Sequence, residues 1–345
     1  GSGERGIFNR QAAEKVASRN KRRDDDFEFG TNPCSEIILQ PFQFCNLSEV
    51  VVREGDKEED LLDKVEAATI LGTMQATLTN FKYLRRQWKD ATEKERLLGV
   101  SLTGIMDHKI LSGDIYNKAV LTELLVKLKD KAVAVNKIWS KRFGINQATA
   151  ITCVKPSGTV SQLVNAASGI HARHNDYYIR RVRGDKKDPL TQFLQSQNIP
   201  IEDCVMKPDS TSVFSFVEKA PNGCITRNKR TAIEQLDHWL AYAKHWCEHK
   251  PSVTISVNED EWLGVADWCW RNFDDLSGIS FLPNFGHVYQ QAPYEDIDEI
   301  KYHKLKKNQP NKINWNELAL YEQEDHTKSS QTLACSAGSC EVVDV

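Results

Sequence analysis

Two kinds of periodicity run along the chain. Over residues 61–84, Leu61, Val65, Ala68, Leu71, Leu78, Phe81 and Leu84 recur at helical spacing, with Gln75 as the polar interruption. That pattern predicts a long amphipathic helix. Residues 118–139 predict a second, with Leu121, Leu124, Leu125, Leu128, Ala132 and Val135 as its apolar stripe. A third is predicted over 231–247, where Ile233, Leu236, Leu240, Ala243 and Trp246 share a face. Short apolar runs predict strands at Leu47–Val52, Leu98–Leu102, Ala148–Val154, Tyr177–Val182 and Ile279–Leu282. Ser252–Val257 alternates, with Val253, Ile255 and Val257 against Ser252, Thr254 and Ser256. Asn258, with Glu261 three residues on, has the form of a capping pair and predicts a helix start. Beyond Tyr294 the chain turns polar, and from about Glu322 its Ser, Thr, Gln, Gly and Ala content predicts a mobile tail. Strands alternating with long helices predict an α/β fold with a largely parallel sheet, open or barrel-shaped, with its chemistry on loops at strand ends.

Composition narrows the function classes. With 345 residues the chain is long enough for one large or two ordinary domains. A net charge of -3 and 27% charged residues give no sign of nucleic-acid or membrane-surface binding. No run approaches the roughly 18 apolar residues of a spanning helix, and the first residues have no signal-peptide core. The expectation is a cytoplasmic protein. Nine cysteines lack the spacing of a disulfide scaffold and favour redox chemistry. Cys335 and Cys340 lie close together near the C-terminus; alone, they read about equally as a redox pair or as a metal clip or ordinary tail thiols.

Candidate chemistry centres on Asn32-Pro33-Cys34-Ser35-Glu36, with Cys45 eleven residues beyond Cys34. If this stretch is extended, Asn32, Cys34 and Glu36 line one face, offering a sulfur, a base and a neutral hydrogen-bonding group. A cysteine beside a carboxylate is weak evidence by itself. The stretch Lys155-Pro156-Ser157-Gly158-Thr159-Val160-Ser161 reads as a strand–loop–helix that holds an anion or simply caps a helix, and it is not a Walker loop. The basic group His171, Arg173, His174, Arg180, Arg181 and Arg183 reads as a solvated loop, and the run Lys21–Asp26 as a solvated loop or helix end. His171 and His287 sit on loops, where a histidine is more often on the surface. Cys153, Cys204, Cys224, Cys247 and Cys269 read as structural.

Taken together, the motifs resemble a family. NPCSE followed by FCNLSEV resembles the finger-loop region of the large subunit of ribonucleotide reductases. KPSGTVSQL, SGIH, YYIRRV, PSVTISV and FLPNFGHVYQQAPYE resemble the adenosylcobalamin-dependent (class II) branch, in the same order, and Cys335 and Cys340 resemble the family's tail dithiol. No tyrosine pair of the class I kind lies near Phe281–Gln291, and no class III glycyl-radical loop is evident.

The resemblance implies a fold and a set of roles. The fold implied is the C-terminal half of the family's ten-stranded α/β barrel. Residues 1–322 would carry it, including a finger loop at about 31–46, and residues 323–345 would be a flexible redox tail. Cys34 would be the thiyl-radical residue that takes hydrogen from the ribose, Glu36 the base for the 3′-hydroxyl, and Asn32 a partner of the substrate hydroxyls. Cys45 would be one of two cysteines oxidised as the 2′-hydroxyl leaves. Ser157, Gly158, Thr159, Val160 and Ser161 would bind the substrate phosphates. Cys335 and Cys340 would re-reduce the site and be reduced by thioredoxin or a similar dithiol donor. The implied cofactor is adenosylcobalamin, with no metal ligands in this chain, and the implied substrates are ribonucleotides, of which triphosphates are the closer match. No cysteine precedes Cys34, so the partner of Cys45 and the first half-barrel would come from an N-terminal part. Other readings are a non-catalytic thiol or interaction fragment of the same fold, and a class I large-subunit fragment served by a metal-containing subunit.

Overall fold

The computed structural model describes residues 5–24, 28–113, 118–284 and 290–322. In chain order the elements are β1 (Arg5–Phe8), α1 (Arg10–Ser18), β2 (Gly30–Thr31), β3 (Ile38–Leu39), β4 (Asn46–Val51), α2 (Glu58–Gln75), α3 (Arg86–Glu95), β5 (Leu98–Thr103), α4 (Lys118–Phe143), α5 (Val160–Leu163), β6 (Tyr177–Asp185), α6 (Pro189–Ser196), β7 (Ile201–Asp203), β8 (Thr211–Lys219), α7 (Ala232–His245), β9 (Thr254–Val257), α8 (Trp262–Arg271), β10 (Gly278–Pro283), β11 (Tyr294–Asp296) and α9 (Glu299–Lys306). They divide into two units, Gly1–Arg173 with Gly223–Phe285, and His174–Asn222 with Gly286–Val345.

The first unit holds the parallel sheet that alternation of strand and helix predicts. β4 pairs with β5 in parallel, from Asn46↔Leu98 to Val51↔Thr103. Isolated parallel bridges extend this outward from β5, through Val100↔Thr152 to Val154↔Pro251. Pro251 leads into β9, which pairs in parallel with β10, and β1 closes that end antiparallel to β10. The sheet is open, as a half-barrel requires, and β4 ends it with an unpaired edge among the described residues. Residues 148–154 form bridges rather than a full strand.

The helices cover this sheet with the stripes their sequences predict. In α4, Leu121, Leu124, Leu125, Leu128, Ala132 and Val135 are all buried. α7 starts at a capping box between Thr231 and Glu234 and buries Trp239, Tyr242 and Trp246 completely. Their polar tips each find a carbonyl: Trp239 Nε1 donates to Pro251 (3.0 Å), Tyr242 Oη to Leu111 (2.9 Å) and Trp246 Nε1 to Cys153 (2.7 Å). Large aromatic side chains can therefore fill the core without stranding a donor.

Three local expectations are corrected. The helix predicted over 61–84 ends at Gln75; Thr77 Oγ1 donates to the Met74 carbonyl, turns follow, and α3 begins at Arg86. Leu71 and Leu78, which the periodicity had assigned to a buried stripe, are exposed. Asn258 does pair with Glu261 (2.9 Å), but the helix starts only at Trp262. The other Glu261 oxygen is held by the Ala232 N–H at the start of α7, so the segment is a turn between β9 and α8. The charged run at 21–26 is not simply solvated: Arg23 is buried against Glu95 (2.9 Å), and Arg22 pairs with Glu248 (2.6 Å).

The second unit is an antiparallel sheet in the order β11-β6-β8-β7, so the largely parallel expectation holds for the first unit alone. Its cores are Phe193, Leu194, Ile199 and Phe214, and Ile179, Val217 and Ile297. Arg181 lies on β6 and is ion-paired with Glu295 (2.5 Å), whereas Arg173, in the first unit, makes a two-pronged buried pair with Asp107 at 2.9 Å. Neither is the solvated loop residue expected. No helix among the described residues is long and apolar enough to cross a membrane.

In the first unit β2 and β3 pair antiparallel, Gly30↔Leu39 and Thr31↔Ile38, which makes residues 32–37 a hairpin loop. The hairpin docks onto the sheet through His249. Its Nδ1 accepts the Ile38 N–H (3.3 Å), which leaves Nε2 to donate to the Leu98 carbonyl (2.9 Å). Burial, with Arg23 nearby, pulls this imidazole down to about 3.

Two outcomes follow. Leu128→Ala should cost roughly 2–5 kcal/mol in urea unfolding, because it opens a cavity in a fully buried helix face. His249 is neutral when folded and protonates near its ordinary value when unfolded, so its stabilisation is complete above about pH 6.5 and is lost as pH falls towards 3. The urea midpoint should therefore drop more steeply between pH 6.5 and 4.5 in wild type than in His249→Gln.

Candidate functional site

The hairpin loop is a tight turn, not an extended strand. Ser35 N–H donates to the Asn32 carbonyl (2.9 Å), and Ser35 takes a left-handed φ of 66°. Asn32 closes the loop twice: its N–H donates to the Ile37 carbonyl (3.3 Å), and its Oδ1 accepts the Ile37 N–H (3.0 Å). Asn32, Cys34 and Glu36 therefore do not share one face. The turn sends Cys34 out to an exposed position and Glu36 into the interior, where it is 0% exposed. The alternation rule failed because it applies to extended backbone, and a left-handed residue between Cys34 and Glu36 breaks it.

Glu36 is the electrostatic centre. Lys155 Nζ donates to its Oε1 (3.1 Å), while its Oε2 accepts no hydrogen bond among the described residues. A buried carboxylate oxygen left open in this way is costly, and at a candidate site it marks a place for a donor from outside. Burial pulls the Lys155 ammonium down, but the Glu36 carboxylate, by charge and hydrogen bond, outweighs it and holds the lysine above its usual range. The Lys155 N–H is held in turn by Ser101 Oγ (2.8 Å). Lys155 was visible in the KPSGT segment, but nothing in the sequence marked it as the partner of Glu36, which lies 119 residues away.

Cys45 enters the same field. Burial, then the Glu36 charge, push its thiol far above the ordinary range, against the pull of Lys155 and Arg23. It packs on β5 at Gly99, where an added Cβ would come within 3.3 Å of the Cys45 sulfur and 2.5 Å of Leu47. Cys153, read from the sequence as structural, is fully buried and is raised by burial and then by Cys45 and Glu36. Glu36, Cys45 and Cys153 thus share one electrostatic neighbourhood, with Lys155 as their common counter-charge.

The Ser157 loop lies next to this cluster through Lys155. Ser157, buried and at φ 53°, donates to Glu49 Oε2 (2.9 Å). Ser161 Oγ donates to the Ser157 carbonyl and lies 2.9 Å from Ser168 Oγ. Both serine hydroxyls are therefore used inside the loop. Gly158, Thr159 and Val160 remain exposed, at the start of the one-turn α5, where backbone N–H groups have no intrahelical acceptor. Burial pushes the Glu49 carboxyl up, against Ser157 and Lys155, and its Oε1 is buried without a hydrogen bond among the described residues. Glu49 was not singled out in the sequence, because a glutamate on a strand reads as its solvated side.

His171 is no surface histidine: its Nε2 accepts the Thr254 N–H (3.0 Å), and Nδ1 faces the Ser168 carbonyl (3.1 Å). Cys335, Cys340 and His287 lie outside the described residues.

Comparison with known proteins gives this geometry a context. No protein-family model matches the chain. The chain is 29% identical over 304 residues to an adenosylcobalamin-dependent ribonucleoside-triphosphate reductase of Euglena gracilis, covering 86% of this chain and 40% of that one. It is 26% identical over 331 residues to the reductase of the same name from Levilactobacillus brevis, covering 87% and 44%. Among solved structures, a B12-dependent (class II) ribonucleotide reductase superposes with a TM-score of 0.72 at 25% identity, over 86% of this chain and 44% of that one. The class Id ribonucleotide reductase alpha subunit of Actinobacillus ureae shares the fold, with a TM-score of 0.54 at 13% identity over 81% of this chain and 58% of that one. The chain spans about two fifths of the length of the curated relatives it matches. By sequence and by fold, then, the chain is a relative of the adenosylcobalamin-dependent ribonucleotide reductases and carries part of their α/β catalytic fold.

Proposed function

We propose that this chain supplies part of the active site of a class II ribonucleotide reductase and works with the remaining segment of that catalytic protein. The substrates are ribonucleotides, in the first instance triphosphates, as the relatives' names indicate. The single observation that carries this reading is the Cys34–Glu36 turn: an exposed thiol two residues from a buried carboxylate whose second oxygen has no hydrogen bond among the described residues.

The residues fit the roles as follows. Adenosylcobalamin, when bound, would supply the radical chemistry that activates a thiol, and Cys34 is the exposed thiol among the described cysteines. Cys34 then takes the hydrogen from C3′ of the ribose and returns one at the end. Glu36 Oε2 accepts the proton of the 3′-hydroxyl, with Lys155 holding Oε1, so the carboxylate is aimed before substrate arrives. Asn32, tied at Oδ1, orients the hairpin and lies within the same loop for the substrate hydroxyls. The exposed arc Gly158–Thr159–Val160 receives the phosphates, with Ser157 and Ser161 shaping it from inside. Cys45 and a cysteine from the remaining segment become a disulfide as the 2′-hydroxyl leaves as water, two thiol hydrogens being the reductant. Burial and the Glu36 charge raise the pKa of Cys45 and keep it a thiol at neutral pH, able to give that hydrogen. Residues 323–345, with Cys335 and Cys340, act as the tail dithiol that reduces this disulfide and is itself reduced by a thioredoxin-type donor. The division into a barrel portion, 1–322, and this tail belongs to the same proposal.

Two measurements test it. Combined with the N-terminal portion of a class II reductase, adenosylcobalamin and a dithiol, the chain should convert a ribonucleoside triphosphate to its deoxy form. Cys34→Ser should abolish that turnover, and Glu36→Gln should lower it by about 10²–10⁴-fold. Turnover unaffected by Cys34→Ser would leave only a thiol or interaction role, and dependence on a metal-containing subunit in place of cobalamin would move the chain to class I. Alkylation followed by peptide mass spectrometry at pH 8 should label Cys34 at least about tenfold faster than Cys45, since the thiolate is the nucleophile and Cys45 is held protonated.

A further inference from the structure

Lys250 is among the largest fully buried side chains of the protein, with 1% exposure. Buried lysines are rare unless they are paired or hydrogen-bonded, and neither the sequence motifs nor the roles above account for this one. Its surroundings are specific. Nζ donates to Ser35 Oγ (2.7 Å). Its backbone N–H donates to the Glu36 carbonyl (3.1 Å), and its carbonyl accepts the Val154 N–H (3.3 Å), one residue before Lys155. Gly278, the first residue of β10, makes the room: a Cβ there would fall 1.9 Å from Nζ and 3.1 Å from Cε. The Phe8 ring of β1 lies 5.6 Å from the ammonium. Two residues on, Ser252 Oγ donates to the Cys34 carbonyl (2.7 Å).

We propose that Lys250 is a positioning residue for the Cys34 turn, fixing the left-handed Ser35 from beneath so that Cys34 stays outside and Glu36 inside. Resting on the reductase reading, it adds a residue that acts through the loop rather than on substrate. A serine at φ 66° sits in a region that non-glycine residues seldom occupy and that persists only where neighbours enforce it. Lys250 grips the turn at both its side chain (Ser35) and its backbone (Glu36), and Ser252 grips the residue between Pro33 and Ser35. The same lysine contributes a second positive charge towards Glu36. Burial pulls its ammonium down to about 7, against that carboxylate, so holding the charged form there has an electrostatic cost. Such a cost is expected where a charge holds geometry instead of adding stability.

Hydrogen–deuterium exchange on the 345-residue chain, read on peptides from residues 30–40, tests this with Lys250→Met, Ser35→Ala and the double variant. Each single change should speed exchange of the Ser35–Ile38 amides by about tenfold, the loss of one charge-assisted hydrogen bond. The double variant should be no faster than either single, with α4 peptides unchanged. Additive effects, or unchanged exchange in a folded single variant, overturn the proposal. If Lys250→Met loses α4 protection and so does not fold, Gly278→Ala decides: its Cβ displaces the ammonium without removing the charge, and must give the same local acceleration. In the reconstituted enzyme, Lys250→Met should lower kcat per folded chain by at least about tenfold while the nucleotide KM stays within about twofold, whereas a wild-type kcat removes the positioning role. Absence of turnover in the wild type, with the exchange pattern intact, would sink the reductase reading and leave the clamp standing.

Discussion

A carboxylate sealed from water has to be answered by positive charge, and much of this structure is arranged around that need at Glu36. Lys155 reaches it from the segment between the sheet and the Ser157 loop, at 3.1 Å. Lys250 comes up beneath the adjoining residue, and the Arg23 charge acts on the neighbouring thiol Cys45. These cations lie on three separate stretches of chain, so the charge balance also brings those stretches together. Breaking such an arrangement by removing one partner leaves an uncompensated buried charge, which is far more damaging than the net worth of the pair suggests.

The hairpin that carries Cys34 is short; Ile38 anchors it in an apolar cluster with Phe29 and the α1 residues Ala13, Val16 and Ala17, and polar bonds fix it beyond that. Arg23 and Glu95 form a buried pair, to which Gln40 and Gln43 add hydrogen bonds at 2.9 and 2.5 Å, and Arg23 also caps the Ile38 carbonyl at 2.9 Å. His249 bridges Ile38 to Leu98. Glu248, His249 and Lys250 are consecutive, and each fastens a different piece: Glu248 holds Arg22, His249 the base of the hairpin, and Lys250 its tip. A fully satisfied polar network of this kind contributes little net stability but specifies one arrangement. For a thiol that must stay exposed next to a base that must stay dry, one arrangement is what the chemistry asks for.

Much of the architecture was legible before any coordinates. The apolar stripes of α4 and α7 follow from residue spacing, because a helix that covers a sheet must put apolar side chains on one face. The helix over 61–84 was overextended, since Leu78 and Leu84 kept the period after Thr77 and the turn residues beyond it had ended the helix. β8 was missed, and with it the antiparallel character of the second unit: strand pairing joins residues such as Val182 and Phe214, and no local pattern records such a partner. Arg23, Arg173 and Arg181 read as solvent-facing because the acids that bury them, Glu95, Asp107 and Glu295, are 72, 66 and 114 residues away.

The sequence by itself determined the main helices and most parallel strands of the first unit, the motif Asn32–Glu36 and the kinship that its thiol and carboxylate suggest, because these depend on residue type and short spacing. Only the tertiary structure decided which way those side chains point. The left-handed turn at Ser35 separates Cys34 from Glu36, and it is set by contacts from Lys250 and Ser252, more than two hundred residues away along the chain. Likewise the counter-charge of Glu36, the raised thiol of Cys45 and the carboxylate oxygens of Glu36 and Glu49 left without a hydrogen bond among the described residues arise from burial and long-range pairing. Desolvation and Coulomb attraction act through space, and the order of residues along a chain does not state those distances.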